Sequence, residues 1–406
     1  MAGARRVSIA GMRTVDEAVS ALLEQARRPR ETTRLPLDAA LGRALAEDVV
    51  AGIDVPPADN SAMDGYAFRH ADAAGDAEAV LPLSQRIPAG VVPEPLAAGS
   101  AARIFTGAEV PPGADTVVMQ EDCEAGDGWV RIRQRPAQGA NIRRRGQDVH
   151  RGQRVLTAGR RLRPQDLGLA ASLGVATLTA WRPLRVAVLS TGDELVEPGQ
   201  PAGPGRIYNS NRYLVAAQLA TWGFEAVDLG IVRDRPDSVR ESLLRASREA
   251  DVIVTTGGVS VGEEDHVKNV VRELGSLDLW RIAIKPGKPF AFGYVGDTPF
   301  LGLPGNPVSV FVTLLVVARP FLFACQGLSD HLLEPLARTA GFSRRGGTRE
   351  DYLRVRAAQA GLELFPNQSS GVLSSVSWAD GLVRQRVGQD IAEGDSVDYL
   401  PWSLFD

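Results

Sequence analysis

The chain has 406 residues, 44% of them apolar and 23% charged, with a formal net charge of -4. That length exceeds what one hydrophobic core supports, and the balance is that of a soluble globular protein, which excludes a disordered or membrane-embedded chain. The acidic net charge also excludes a broad basic surface for nucleic-acid phosphates, so any anion site must be local. Thr14 and Glu17 have capping-box spacing, and residues 14–28 (TVDEAVSALLEQARR) keep helical periodicity until Pro29, so the chain is expected to open with a helix. Residues 1–13 carry arginines without an apolar run and cleavage site. Only Cys123 and Cys325 occur, far apart, so neither a disulfide framework nor a cysteine metal cluster is expected, and the setting is expected to be cytoplasmic.

From Val49 to about Asp148 the texture changes to short β-type runs broken by Pro and Gly, such as ARIFTGAEVPPGADTVVMQE and WVRIRQRP. Residues 162–181 return to helix and then strand, and are expected to pack with the opening helix. This gives a helical scaffold domain from residues 1–52 and 148–182, with a β-rich domain inserted at residues 53–147. From Pro183 strands and helices alternate (LRVAVLS, EAVDLGIV, DSVRESLLRASREA, DVIVTTGG), which predicts a parallel sheet covered by helices over residues 183–326. Within it, Tyr213, Ala216, Ala217 and Ala220 mark one apolar helical face, and Gly223 is placed to stop that helix. The almost wholly apolar residues 308–325 are interrupted by Arg319 and Pro320, and read as a buried helix rather than a membrane span. Residues 327–406 show short strands with turn signals and predict a small β-barrel-like module. The fold class is multidomain α/β.

Three polar loops are expected at the carboxyl ends of the α/β strands, where open sheets bind ligands. The first, Ser190 to Glu194, combines small residues with Asp193 and Glu194; its plainer reading is a turn with solvated acids. In the second, Thr255 to Asp265, adjacent glycines and a helix start suit a phosphate, and Asp265 suits a bridging magnesium ion or simply caps the helix. The third sets Lys285 and Lys288 three apart on a proline-stiffened loop, followed after the next strand by Pro304-Gly305-Asn306-Pro307-Val308-Ser309. Fixed cations and helix N–H groups fit an oxyanion such as molybdate, sulfate or phosphate. In the β-rich domain, Asp59 to Tyr66, Thr106-Gly107 and Arg143 to Asp148 bring acids, an amide, a hydroxyl and a basic cluster with no strand rationale.

Taken together, DNSAMDGYA, STGDEL, GRIYNSN, TTGGVSVGEED, IAIKPGKPFAFG and GLPGNPVS, in this order, resemble the molybdopterin molybdenumtransferases and the E domain of gephyrin, from about Thr14 to the C-terminus. The resemblance implies a homodimer of elongated four-domain subunits, with the active site between the α/β domain of one and the β-rich domain of the other. It implies that adenylylated molybdopterin binds the α/β domain, that molybdate is placed near the dithiolene, and that magnesium-dependent cleavage of the adenylate releases AMP and the finished molybdenum cofactor. Carried over by motif, Asp265 and Asp234 would serve the Mg2+ and phosphate region, with Asp193 and Glu194 nearby. Lys285, Lys288, Ser260 and Ser309 would bind molybdate, together with Arg354 and Ser370 of the C-terminal module; Arg349 is as eligible as Arg354. Thr191, Gly192, Gly257, Gly258 and Asn306 would hold pterin and phosphate, and Asp59, Thr106 and Asp148 would come from the partner subunit. Gln147 stands where an acid often precedes Asp148 in the family.

A molybdopterin adenylyltransferase and recipient molybdoenzymes are the implied transient partners, with no nucleic acid and no membrane. Two rivals share the fold. An adenylyltransferase would be a single compact domain with a different loop after Gly257-Gly258, and a pure scaffold would have no physical reason to keep these acids and lysines together. Tungstate shares the charge and tetrahedral shape of molybdate, so the loop residues do not rank the two.

Overall fold

The computed structural model describes residues 11–28, 31–73, 78–258, 266–329 and 331–406. Ser260 and Asp265 lie outside the described residues. The chain divides into two compact units, one of Glu47–Thr157 with Arg163–Leu178, the other of Met1–Ala46, Ala158–Leu162 and Thr179–Asp406.

The first unit is built on a six-stranded sheet in the spatial order Thr116–Met119, Gly65–Phe68, Ala101–Ile104, Ala79–Ile87, Trp129–Ile132, Cys123–Gly126. Alternation along Gly65–Phe68 sends Tyr66 and Phe68 to a core with Leu81, Val118 and Val130, while Ala67 faces Ile87, Ala102 and Val117 on the other side. The helix Pro164–Ser172 belongs to this unit, where Leu169 and Leu173 pack with Ala51 and Val149. Sequence periodicity identifies such a helix but not which surface receives its narrow apolar stripe.

In the second unit the opening helix, Val15–Leu23, begins as its spacing predicts. Thr14 Oγ1 accepts from the Glu17 N–H at 3.1 Å, and Glu17 Oε2 accepts from the Thr14 N–H at 2.9 Å. Its buried face, Val15, Ala18, Val19 and Leu22, joins the core that surrounds the apolar helical segment Pro307–Gln326.

The α/β layer has the strand order Glu225–Val232, Arg185–Thr191, Val252–Thr256, Thr298–Leu303, Pro289–Val295, Gly275–Arg281. Both faces are covered, so odd and even residues of one strand are equally apolar: Val186 and Val188 join the core with helix Ser210–Thr221, Ala187 and Leu189 the core with helices Pro236–Glu249 and His266–Leu274. The first four strands run parallel, as expected; Pro289–Val295 runs against them, and Gly275–Arg281, antiparallel to it, runs with them again. The expected all-parallel sheet is therefore a mixed one. Only Gly296 and Asp297 separate paired Val295 and Thr298, and a two-residue connection can only reverse the chain.

The segment Pro307–Gln326 is one continuous helical run with a π turn at Leu314–Ala318. The π turn sits just ahead of Pro320, which has no N–H to give to the preceding turn. Its 18-residue window of mean hydropathy 2.2 is 83% buried, so it is a core helix. Arg319 is tolerated there because its guanidinium donates to the carbonyls of Phe405, His331 and Leu404 at 3.2, 3.2 and 3.4 Å and stacks over Phe323.

The C-terminal module is a sheet in the order Ile284–Lys285, Glu350–Ala358, Gly381–Gln385, Ser396–Pro401, Leu336–Thr339, with Gly361–Leu364 also pairing Glu350–Ala358. A bridge between Ala340 and Leu362 brings its far edge back, curling it around Leu353, Val355, Val383, Val397 and Tyr399. Its first strand, Ile284–Lys285, is lent by the α/β layer.

Arg319→Ala is expected to destabilise this unit by about 3 kcal/mol, since it strands buried carbonyls and opens a cavity. Thermal unfolding followed by circular dichroism measures it, and an unchanged midpoint would show that the arginine is dispensable.

Candidate active-site cleft

Four strand ends of the α/β layer converge on a cleft of about 860 Å³. The loop after Arg185–Thr191 contributes Thr191 and Glu194, and Val252–Thr256 leads to Gly257 and Gly258. Gly257 and Gly258 have φ of 89° and 66°, the left-handed region that favours glycine. A Cβ on Gly258 would stand 2.9 Å from Thr191 Oγ1 and 2.6 Å from Val267, so the turn closes only because neither residue has a side chain.

Opposite stands the cationic wall. Lys285 and Lys288 flank a cis peptide to Pro286 and then Gly287, and both lysines line the cleft. Lys285 Nζ is 3.3 Å from Asp351 Oδ2, a carboxylate only 9% exposed that also accepts from Arg344 Nη2 at 3.0 Å. The lysine is thus held by a buried acid of the C-terminal module. Lys288 is exposed. Pro304 to Pro307 and the buried Ser309 add the start of the long helical run, whose N–H dipoles favour an anion. Asn306 Nδ2 donates to Ser370 Oγ at 3.1 Å and Val308 N–H to Ser370 O at 3.1 Å, so Ser370 is seated against that helix start.

Of the residues proposed from sequence, the cleft gathers Thr191, Glu194, Gly257, Gly258, Lys285, Lys288, Asn306, Ser309 and Ser370. Gly192 and Asp193 lie just behind it; the Asp193 carbonyl accepts from Arg206 Nη1, and Gly192 is backed by the Glu194 carboxylate. Asp234 lies between strand Glu225–Val232 and helix Pro236–Glu249, outside the lining. Arg354 is also outside it. That side chain is fully buried, donating to Tyr352 O at 3.0 Å and Ser375 Oγ at 3.3 Å, and burial pushes its pKa down to about 10. The arginine that lines the cleft is Arg349, held by its bond to Ile284 O at 3.2 Å. Sequence reasoning assigned no role to Asn209, Asn211 or Gln368, which line the cleft too. The motif GRIYNSN was the available signal for the first two.

In the other unit, Asp59 accepts from Arg144 Nη1 at 2.6 Å and from the Arg145 N–H at 2.8 Å. Partial burial pushes its pKa up, but these two donors outweigh that and leave it below the ordinary carboxylate range. The N–H and hydroxyl of Thr106 both donate to Asp64 Oδ1 at 2.7 Å and hold that carboxyl low as well. Asp148 is exposed, its N–H bonded to Val55 O at 3.0 Å, and the Gln147 side chain caps the Arg144 N–H at 3.1 Å. Among the described residues no three His, Cys, Asp or Glu are grouped as for a metal ion.

Known proteins resemble the chain throughout. Residues 13–174 match the MoeA N-terminal region (domains I and II), residues 187–324 a probable molybdopterin binding domain, and residues 337–402 the MoeA C-terminal region (domain IV). A molybdopterin molybdenumtransferase of Haemophilus influenzae is 44% identical over 78% of each chain. Molybdopterin molybdenumtransferase 2 of Mycobacterium tuberculosis is 38% identical, covering 94% of this chain and 97% of its own. The crystal structure of a molybdopterin biosynthesis MoeA protein from Pyrococcus horikoshii superposes with a TM-score of 0.83 at 27% identity, covering 96% of this chain and 99% of the other.

Thr106→Val removes one of the two donors that hold Asp64 ionised, so the carboxyl should titrate closer to its ordinary value of 3.8. Because the folded pKa is depressed, the associated stabilisation is present above the ordinary value and lost as pH falls through the folded one. Carbon NMR titration of Asp64 in both proteins reads this, and identical curves would remove the role given to the Thr106 hydroxyl.

Proposed function

The chain belongs to the molybdopterin molybdenumtransferase family, and from that premise we propose that it inserts molybdate into adenylylated molybdopterin with magnesium-dependent release of AMP. It is an enzyme of molybdenum cofactor biosynthesis. The finer reading is carried by one observation: Lys285, Lys288 and Arg349 stand beside a helix start on one side of a cleft whose other side carries Glu194 and neutral polar groups. A tetrahedral dianion fits the first side, because fixed cations and N–H dipoles hold it without reorganising. The remaining volume suits a larger ligand.

Lys285 is oriented before any ligand arrives, since Asp351 fixes its ammonium; the entropy an ordinary surface lysine loses on binding is already spent. Lys288, exposed, adds charge at the mouth. Magnesium takes one or two carboxylates and completes its shell with phosphate oxygens and water, so the Glu194 carboxylate on the cleft fits it, with Asp234 and Asp265 as the further acids the motifs nominate. When bound, the ion would neutralise charge developing on the phosphate. No covalent nucleophile is required. Burial pushes the thiols of Cys123 and Cys325 up to about 11 and about 12, leaving both protonated and inert.

The proposal includes a homodimer in the cytoplasm, with Asp59, Thr106 and Asp148 supplied by a second copy, in keeping with the resemblance of the motifs around them. The pre-ionised Asp59 suits such a role.

Purified protein given adenylylated molybdopterin and magnesium should release AMP only when molybdate is added, and the product should activate an apo-molybdoenzyme. AMP release indifferent to molybdate would count against insertion. Lys285→Ala should raise the KM for molybdate roughly tenfold while moving kcat less. If the site is shared, Asp59→Ala and Lys285→Ala chains, each inactive at low molybdate, should recover roughly a quarter of wild-type activity when co-expressed, because half the dimers then hold one intact site of two. No recovery would place all the residues in one chain.

A further inference from the structure

Residues 197–206 (EPGQPAGPGR) carry three prolines and three glycines, form no helix or strand, and are exposed from Pro198 onward. They make a strap that leaves the α/β layer after Val196 and returns at Ile207. Leu195–Val196 and Ile207–Tyr208 close it as a two-residue parallel pair, with the Ile207 N–H on Glu194 O and the Asn209 N–H on Val196 O, each at 2.9 Å. A pair so short is marginal by itself, so the strap has to be held from outside. Its position matters because Glu194, Leu195 and residues 207–211, on either side of it, line the cleft.

Arg212, in the first turn of helix Ser210–Thr221, does the holding. Its Nη1 stands 2.6 Å from Oε1 of Glu197, the first residue of the strap, while Nε and Nη2 grip Asp228 of edge strand Glu225–Val232 at 2.8 and 2.7 Å. The three side chains are only 25%, 32% and 37% exposed, so water screens these pairs less than it does ordinary surface ones. Asp228, and after it Glu197, raise the Arg212 pKa against the burial that lowers it. Both acids are braced in turn. Asp228 Oδ1 accepts from the Gly230 N–H at 2.9 Å, where the register against Val188 and Ser190 shifts, and Glu197 Oε2 accepts from Tyr213 Oη at 3.0 Å. A planar guanidinium fork holds two carboxylates on fixed headings, which the point charge of a lysine does not.

We propose that Arg212 is a positioning residue for the reaction in the cleft: by tying the start of the strap to the edge strand, it keeps Glu194 and residues 207–211 in place for the large substrate. Arg212 and Glu197 are outside the cleft lining, so they act through the strap and not by contact. The inference rests on the cleft being the site of the proposed reaction. The lysine wall is fastened separately, through Asp351 and the pairing of Ile284–Lys285 with the C-terminal module, so the tie bears on the large substrate and not on molybdate.

The experiment compares the full-length wild type with Glu197→Gln, Arg212→Gln and the double variant. Glu197→Gln cuts the strap end alone, leaving the Asp228 pair and an acceptor for Tyr213, so its thermal midpoint should stay at the wild-type value even if Arg212→Gln lowers it. Trypsin cleavage after the exposed Arg206 reads the strap without any reaction, and should quicken about fivefold in each single variant. In the AMP-release assay the KM for adenylylated molybdopterin should rise about fivefold, with kcat and the KM for molybdate within about twofold of wild type. The double variant should match Arg212→Gln, because both changes cut one tie. Faster cleavage with an unchanged KM would overturn the positioning role and leave the insertion reading intact, as would an equal rise in KM for both substrates or additive losses in the double variant. A wild type that releases no AMP when molybdate is added would sink both.

Discussion

Two residues, Ile284 and Lys285, leave the α/β layer and pair in parallel with Glu350 and Asp351, and the cleft depends on that pairing. The Glu350 N–H reaches Ala283 O at 2.8 Å, and Arg349 Nη1 reaches Ile284 O at 3.2 Å, so the loop bearing both lysines is tied to the C-terminal module on each side of the strand. Asp351 completes the tie through Lys285. A flexible lysine loop on a sheet edge would be solvated charge; pinned this way, it becomes one wall of a site.

The same module is fastened to the opening helix by charge. Arg384 donates to Glu350 Oε1 at 2.8 Å and to Asp16 Oδ1 at 3.0 Å, while the buried Tyr352 hydroxyl gives a third bond to Glu350. Burial lowers the Arg384 pKa, but Tyr352 and Glu350 reverse that and leave it raised. Partly buried ion pairs of this type add little net stability over apolar packing, yet breaking one partner is costly, so they select one docking of the module over others. Arg319 does the same with neutral partners: its bonds to Phe405 and Leu404, and the Trp222 indole N–H to Phe405 O at 2.5 Å, seat the C-terminus on the core helix.

The cleft therefore has two chemically distinct walls. One is cationic and preset by a buried acid; the other is neutral apart from Glu194 and carries unmet amide and hydroxyl groups. The proposed insertion, which brings a dianion to a large substrate, would use both, since a uniformly cationic cleft would hold the anion wherever it landed.

Much of this was readable from the chain alone. The capping box at Thr14 and Glu17, the alternating strands and helices from Pro183, and the small and charged residues at strand ends are local signals, set by hydrogen bonding and by periodicity in a few consecutive residues. The sequence by itself determined the α/β class and which strand-end loops would line the cleft. Tertiary structure decided which of two arginines meets the cleft. Strand Glu350–Ala358 is buried on both faces over Asp351 to Val355, so period-two alternation has no wet side to mark, and nothing in REDYLR separates Arg354, sealed in the core, from Arg349, which lines the cleft just ahead of the strand. Likewise, a stripe of apolar residues on helix Pro164–Ser172 states that it packs but not on what, because the receiving surface joins nearby Val149 to Ala51, more than a hundred positions away. Contacts between segments far apart in sequence arise only when the chain is folded, and no local pattern encodes them.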